Sequence, residues 1–358
     1  MLIFDGHLDL AWSAMQGNRD LMLPLAEIRA RLAAGGALPA GDPEAARRAA
    51  TVCFPEMRRG RVGLCMATVF ARSSGRPVPL CDYPTVAQAN GVAWGQLAWY
   101  RALDRLGHVR VIADRKALDR HAAEWESWDA SGGEEGAAPP PGVVVNLEGA
   151  DPVLAPDGLG AWRDAGLRVV GLAHVGAGRY AGGTGAEEGL ADAAGPLLAE
   201  MRRLGLILDL SHSSERTFRE ALERFDGPVM ASHSNCRALV DRPRQLSDGQ
   251  IRALIARGGV VGAVLDESML DPRPRGEREN ATVAAAAGHI DHVCQLAGDC
   301  RHAAVGSDLD GGCPPRDLES IADLQRLGGI LAARGYGAAD LAAILWGNWL
   351  SFLRNAWG

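Results

Sequence analysis

The chain has no Cys-x-x-Cys pair, although it carries seven cysteines: Cys53, Cys65, Cys81, Cys236, Cys294, Cys300 and Cys313. An odd, scattered set supplies neither a zinc ribbon nor a disulfide framework, so free thiols in a reducing compartment are expected. No apolar run reaches the roughly 18 residues of a membrane-spanning helix. A charged n-region with a following apolar segment and cleavage site is missing, as is a terminal hydrophobic tail for a lipid anchor. The expected location is therefore the cytoplasm, with no membrane partner. Long basic stretches interleaved with aromatics are absent and the net charge is -7, which leaves no electrostatic footprint for nucleic acid.

What the chain does have is apolar mass: 47% of its 358 residues are hydrophobic, enough to bury a large core. That length could hold two average domains, but α/β barrels commonly run past about 250 residues as one unit. Neither an internal repeat nor a shift of composition marks a boundary, so residues 1–358 are expected to form one domain.

Short aliphatic runs recur along the chain, each followed by a polar or Gly-containing break and then by helical spacing. Strands are expected at LIFDGHLDL, GLCMATVFA, GVVVNLEGAD, LRVVGLAH, LILDLSH, PVMASHSN, GVVGAVLD and HAAVGSDLDG. Eight βα units are what a closed (β/α)8, TIM-like α/β barrel requires. Helices are expected between them at PTVAQANGVAWGQLAWYRALDRLG, AGPLLAEMRRLG, SERTFREALERF, SDGQIRALIARGG and ATVAAAAGHIDHVCQLAG. DASGGEEGAAPPPG (129–142) is expected to be a loop, because glycines and three prolines deny regular structure. Loop excursions at the active-site face are expected near 175–195 and at SMLDPRPRGEREN, 268–280.

Most of these strands end in a metal-ligating or acid/base group: His7 and Asp9, Glu148, His174, His212, His233, and Asp308 with Asp310. In a (β/α)8 barrel the carboxyl ends of the strands meet on one face, where the loops build the site. Period-two alternation sends His7 and Asp9 to the same side of their strand, and imidazole with carboxylate suits zinc or a similar divalent metal. Alone, such a pair is more often solvated or a cap; its weight comes from the other strand ends. Glu148, after VVVNL, is costly to bury unless paired or ligated. With histidines arriving from other strands, it fits a carboxylate shared between two metals. His212 in LDLSHSS and His233 in VMASHSN each follow an aliphatic run and are flanked by small residues that leave room for an ion. A serine hydrolase is disfavoured, because no G-x-S-x-G elbow is present.

Asp308, in VGSDLDGG, could take a proton from metal-activated water and return it to a leaving amine. Asp310 competes for that role by spacing. Arg244, eleven residues beyond His233, could clamp a substrate carboxylate in bidentate fashion, or be a surface arginine. His289 and His292, on an expected exterior helix, read as structural, and His108, His121 and His302 carry no supporting pattern.

Together DGHLDLAW, NLEGAD, LAHVG, LDLSHSS, ASHSNCRALVDRPRQLSDGQI, GHIDHV and VGSDLDGG resemble the membrane (renal) dipeptidase family of the amidohydrolase superfamily. The resemblance runs in order from residue 5 to about residue 312, and WGNWLSFLRN is similar to the family's closing helix. It implies two zinc ions per chain, or other divalent metals: His7 and Asp9 on the first, Glu148 bridging, His212 and His233 on the second. Asp308 becomes the acid/base residue that also approaches the first metal. His174 contacts the substrate and its developing oxyanion, and Arg244 the substrate's carboxylate. The implied activity is hydrolysis of dipeptides by zinc-activated hydroxide, tolerant of a D-residue at the second position. The implied assembly is a homodimer.

The stretch VGAGRYAGGTGAEEGL after His174 resembles bacterial members. Lactone, phosphotriester and deaminase chemistries of the same superfamily often open with His-x-His and bridge with a modified lysine. Asp9 and Glu148 take those places here, which favours the dipeptidase branch. A barrel holding metal without turnover is the other alternative, and it has no need of Asp308.

Overall fold

The computed structural model describes residues 1–35, 45, 49–133 and 138–358. Its strands are β1 (Ile3–Leu8), β2 (Val62–Val69), β3 (Arg110–Val111), β4 (Gly142–Leu147), β5 (Leu167–Gly171), β6 (Ile207–Asp209), β7 (Val229–Met230), β8 (Val261–Ala263) and β9 (Ala303–Val305). All pair in parallel, in the order β7-β6-β5-β4-β2-β1-β9-β8, with β3 set off this path beside β4. Ala231, just past β7, bridges Val261 of β8. Eight strands thereby close on themselves as the expected (β/α)8 barrel, each one at an expected position. The two-residue β3 was not expected; it is too short to leave a period in the sequence.

Helices Val86–Arg105, Ala194–Arg203, Glu215–Arg224, Asp248–Ala256 and Val283–Ala297 fall in the expected helical stretches. Their starts are chemically marked. Thr85 with Gln88 and Ser247 with Gln250 form reciprocal capping boxes that satisfy amide donors at the first turn. A further helix, Arg115–Ala130, was not foreseen, because only Leu118, His121, Ala122 and Trp125 of its side chains are buried. Of the loop expected over 129–142, residues 134–137 lie outside the described residues, and Gly142 already belongs to β4.

The core has two parts. One lies between the strands and the helices. The other fills the lower lumen with Phe4, Met66, Val144, Val169, Ile207, Met230 and Ala304, and its floor is closed by Trp349 of the C-terminal helix Asn348–Ala356. The Trp349 indole donates to the Val305 carbonyl at 2.8 Å, which satisfies its one polar atom there.

Alternation carries the lumen face upward: Val144, Asn146 and Glu148 share one side of β4, and Ala304, Gly306 and Asp308 one side of β9. On β1 the alternation reverses. Phe4 packs in the lumen whereas Leu8 lies in the outer core, and pairing with β2 shifts register between Asp5 and Leu8. Without that irregularity His7 would face the helices; with it, His7 and Asp9 both turn into the mouth.

Candidate metal centre

Glu148, one residue past β4, places its Oε1 at the centre of the mouth. The Nε2 atoms of four histidines surround that oxygen: His212 at 3.2 Å, His233 at 3.4 Å, His7 at 3.6 Å and His174 at 3.7 Å. His7 Nε2 also lies 3.8 Å from Asp9 and 3.9 Å from Asp308. Three overlapping triads each have their ligand atoms within 4.8 Å of one another: His7, Asp9 and Glu148; Glu148, His212 and His233; His7, His233 and Asp308. Glu148 belongs to the first two, as a carboxylate shared between two ions would.

Two observations test whether this donor set fits a metal. His7 Nε2 is buried without a hydrogen-bond partner, although three carboxylates face it. At Gly311, a Cβ would overlap both the Asp9 and the Asp308 carboxylates, so the backbone is pared away where those oxygens converge. Imidazole nitrogens and carboxylate oxygens in such triads fit zinc or another divalent cation.

The family model for membrane dipeptidases (peptidase family M19) matches residues 1–356. The chain belongs to the membrane dipeptidase family. It is similar to an uncharacterised protein of Klebsiella pneumoniae encoded in the pqqA 5' region, 35% identical over 228 residues, covering 60% of this chain and 82% of the relative. Among solved structures, a metallopeptidase of the same family described as dipeptidase AC superposes with a TM-score of 0.76 at 26% identity, covering 100% of this chain and 99% of that one. A metallopeptidase from Rhodobacter sphaeroides, liganded with a phosphinate mimic of the dipeptide L-Ala-D-Ala, shares the fold with a TM-score of 0.74 at 24% identity, covering 100% and 99%. Family and donor set together make the protein a metal-dependent dipeptidase.

The electrostatics of the dipeptidase site point the same way. Burial, reinforced by neighbouring carboxylates, pushes Glu148 and Asp308 well above the usual carboxylate range. Burial raises Asp9 to about 6, against a hydrogen bond from Thr68 that lowers it. Burial, with the charge of Arg244, holds His7 and His212 well below the usual imidazole value, and His233 is held down by burial and by His7. Without an ion the cluster suppresses its own charges; two divalent cations would draw the carboxylates into their anionic form and use the neutral imidazoles as ligands. The backbone at two of these residues is left-handed, with φ of 63° at His212 and 59° at Asp308. For non-glycine residues that conformation costs on the order of 1–3 kcal/mol and persists where a site demands it.

The remaining candidates sort themselves by contact. His174 packs its ring 4.7 Å from that of Phe70 and 4.1 Å from that of His212. Arg244 donates to Ser234 Oγ at 3.0 Å and to the His233 carbonyl at 2.8 Å, which fixes its guanidinium beside the mouth. Asp310 is engaged elsewhere: it accepts from the Thr51 amide and hydroxyl at 2.6 and 2.7 Å and pairs with Arg19 at 3.2 Å. Those bonds tie the β9 loop to the segment before β2, whereas Asp308 faces His7 in the mouth. Ser211 and Ser232 are buried among the histidines. His289 and His292 belong to none of the triads: His289 Nδ1 accepts the Cys236 amide, three residues past His233, and His292 bonds Asp248.

Several supporting residues escaped the sequence reading. Thr68 donates to Asp9, and Thr184, in the excursion after His174, sits 3.1 Å from His212 Nδ1. Asp209 accepts from the Ser211 and Ser232 amides, each at 3.0 Å. The signal for Asp209 was present, as a charged residue inside the aliphatic run LILDL.

Proposed function

We propose that the protein holds two zinc ions at this centre and hydrolyses dipeptides, including those ending in a D-residue. The observation that carries the reading is the ring of four imidazole Nε2 atoms, 3.2–3.7 Å from one oxygen of Glu148. His7 and Asp9 would hold one ion, His212 and His233 the other, with Glu148 between them and Asp308 approaching the first. The bound ions supply Lewis acidity, polarising the scissile carbonyl and making water a competent nucleophile near neutral pH.

The chain's own groups do the rest. Asp308 accepts the attacking water's proton and delivers it to the departing amine. His174 is held down to about 3 by burial and by the nearby Arg72 and Arg244 cations, so at neutral pH it is an uncharged imidazole that donates an N–H to the developing oxyanion. Arg244 uses its remaining donors on the substrate's C-terminal carboxylate. Its present partners are both neutral oxygens, which leaves its positive charge to recognise an anion. A clamp beside the centre on the free C-terminal carboxylate would select very short peptides. The L-Ala-D-Ala mimic held by the Rhodobacter sphaeroides relative supports tolerance of a D-residue.

The reading extends to a homodimer of one-domain chains in the cytoplasm; no disulfide joins the seven cysteines, as expected of a reducing compartment. The test is a panel assay of metal-stripped protein reloaded with zinc, on L,L and L,D dipeptides, tripeptides and N-acyl amino acids, with bound metal quantified. Hydrolysis of dipeptides alone, at about two ions per chain, is the expected result. Two bound ions without dipeptide turnover would move the function to another amidohydrolase chemistry.

A further inference from the structure

Beneath the centre lies a polar layer that none of the assigned roles uses. Ser232 is fully buried between the lumen floor and the mouth, and its hydroxyl donates to Asp209 Oδ2 at 2.5 Å. Ser232 Oγ itself lies 2.8 Å from His233 Nδ1, 3.5 Å from His7 Nδ1 and 3.3 Å from Ser211 Oγ. Both rings turn Nε2 up towards Glu148, so in each the ligating lone pair must be on Nε2 and the proton on Nδ1. The two N–H groups thus converge on one serine oxygen, whose own proton is committed to Asp209.

The rings are also stacked, centroids 3.6 Å apart and 28° from parallel. They share a partner at each end, Glu148 above and Ser232 below. The backbone is shaped for this arrangement: at Gly6 on β1, Gly262 on β8 and Gly306 just past β9, a Cβ would collide with the Ser232 carbonyl. Any side chain there would push Ser232 out of the lumen. Asp209 is held in turn by the Ser211 and Ser232 amides and by Asn146 Nδ2 at 3.2 Å.

We propose that Asp209 and Ser232 form a positioning unit that fixes the tautomer and orientation of His7 and His233 together, and so couples the two metal positions from below. The inference rests on the two-ion reading, since His7 and His233 serve different ions. An orienting partner on the far nitrogen of a ligating histidine affects metal affinity about 10- to 100-fold. Most such partners serve one ligand; this one serves a ligand of each ion.

The experiment compares wild type, Ser232→Ala and Asp209→Asn. Zinc affinity is measured by chelator competition, and histidine tautomers of the metal-free protein by ¹⁵N-imidazole NMR. Circular dichroism and the metal-free melting temperature establish that each variant is folded. The expected result is that Ser232→Ala, which removes only one oxygen, binds both ions about 10- to 100-fold more weakly and loses Nδ1 protonation in two histidines at once. Asp209→Asn should shift affinity in the same direction while keeping the shape. Two ions on wild type, held equally tightly by a folded Ser232→Ala with unchanged tautomers, would overturn the inference alone. Wild type that takes up no zinc would overturn the two-ion reading, and the inference with it.

Discussion

The Nε2 atoms of His212 and His233 stand 3.0 Å apart, both facing Glu148 Oε1. Two lone pairs that close repel unless a proton or a cation lies between them. Zinc should therefore bind tightly and stabilise the fold. Each site at a hundredfold excess of zinc over its Kd adds about 2.7 kcal/mol, so chelation should lower the melting temperature by several degrees and abolish turnover, with both restored by zinc. Calorimetry with and without chelator checks this; an unchanged melting temperature would speak against any bound ion.

Asp308→Asn keeps the shape of the side chain and removes its capacity to carry a proton. General acid/base groups contribute roughly 10²- to 10⁴-fold. The variant should lose kcat on that scale while retaining close to two zinc ions per chain. Wild-type turnover in a zinc-loaded variant would remove Asp308 from the proton path.

Arg244→Met should raise KM for dipeptides more than it lowers kcat. A charged hydrogen-bond pair is worth about 1.5–3 kcal/mol, which corresponds to roughly 10- to 100-fold in kcat/KM. The sharper readout is a dipeptide compared with its C-terminal amide. Wild type should discriminate strongly between them and the variant hardly at all.

His289 should make the fold sensitive to acid although it belongs to none of the metal-ligand triads. It is buried, its Nδ1 accepts the Cys236 amide proton at 3.1 Å, and burial lowers its pKa from 6.5 to about 4. The unfolded chain thus binds this proton more readily than the folded one, so stability is full above pH 6.5 and declines as pH falls towards 4. The loss attributable to this residue is on the order of 3 kcal/mol. His289→Gln, which can still accept the amide proton, should show a shallower decline. Urea unfolding at pH 7, 5.5 and 4.5 measures the slope, and identical slopes would assign the acid sensitivity elsewhere.

Much of this was legible because barrel strands are buried on both faces and read as uninterrupted aliphatic runs. GVVVNLEGAD shows both the strand and the carboxylate it lifts to the mouth. Arg115–Ala130 was hidden by its many charged residues, and only a narrow stripe of it is buried. Spacing alone left Asp308 and Asp310 in competition and the resemblance named Asp308; that Asp310 is engaged by Thr51 and Arg19 from remote segments is visible only in three dimensions. The His7-x-Asp9 alternation was read correctly, yet its direction depends on a register shift that leaves no trace in residue type. Ser211 and Ser232 were read as small residues making room, and their hydroxyls matter more than their size.

The barrel closes between β7 and β8 through the bridge at Ala231, flanked by hydrogen bonds of 3.0 Å from its amide to Val260 and 2.9 Å from Gly262 back to it. His7 belongs to β1 and Asp9 directly follows it, and β1 is paired on both sides by β2 and β9, whereas His233 hangs two residues past this seam. Local opening of a chain begins where its hydrogen-bonded backing is thinnest. If two ions are held as proposed, they should be unequal in lifetime: the one on the His212 and His233 side would sit against the latch and exchange first, while its neighbour would rest on the spine of the sheet.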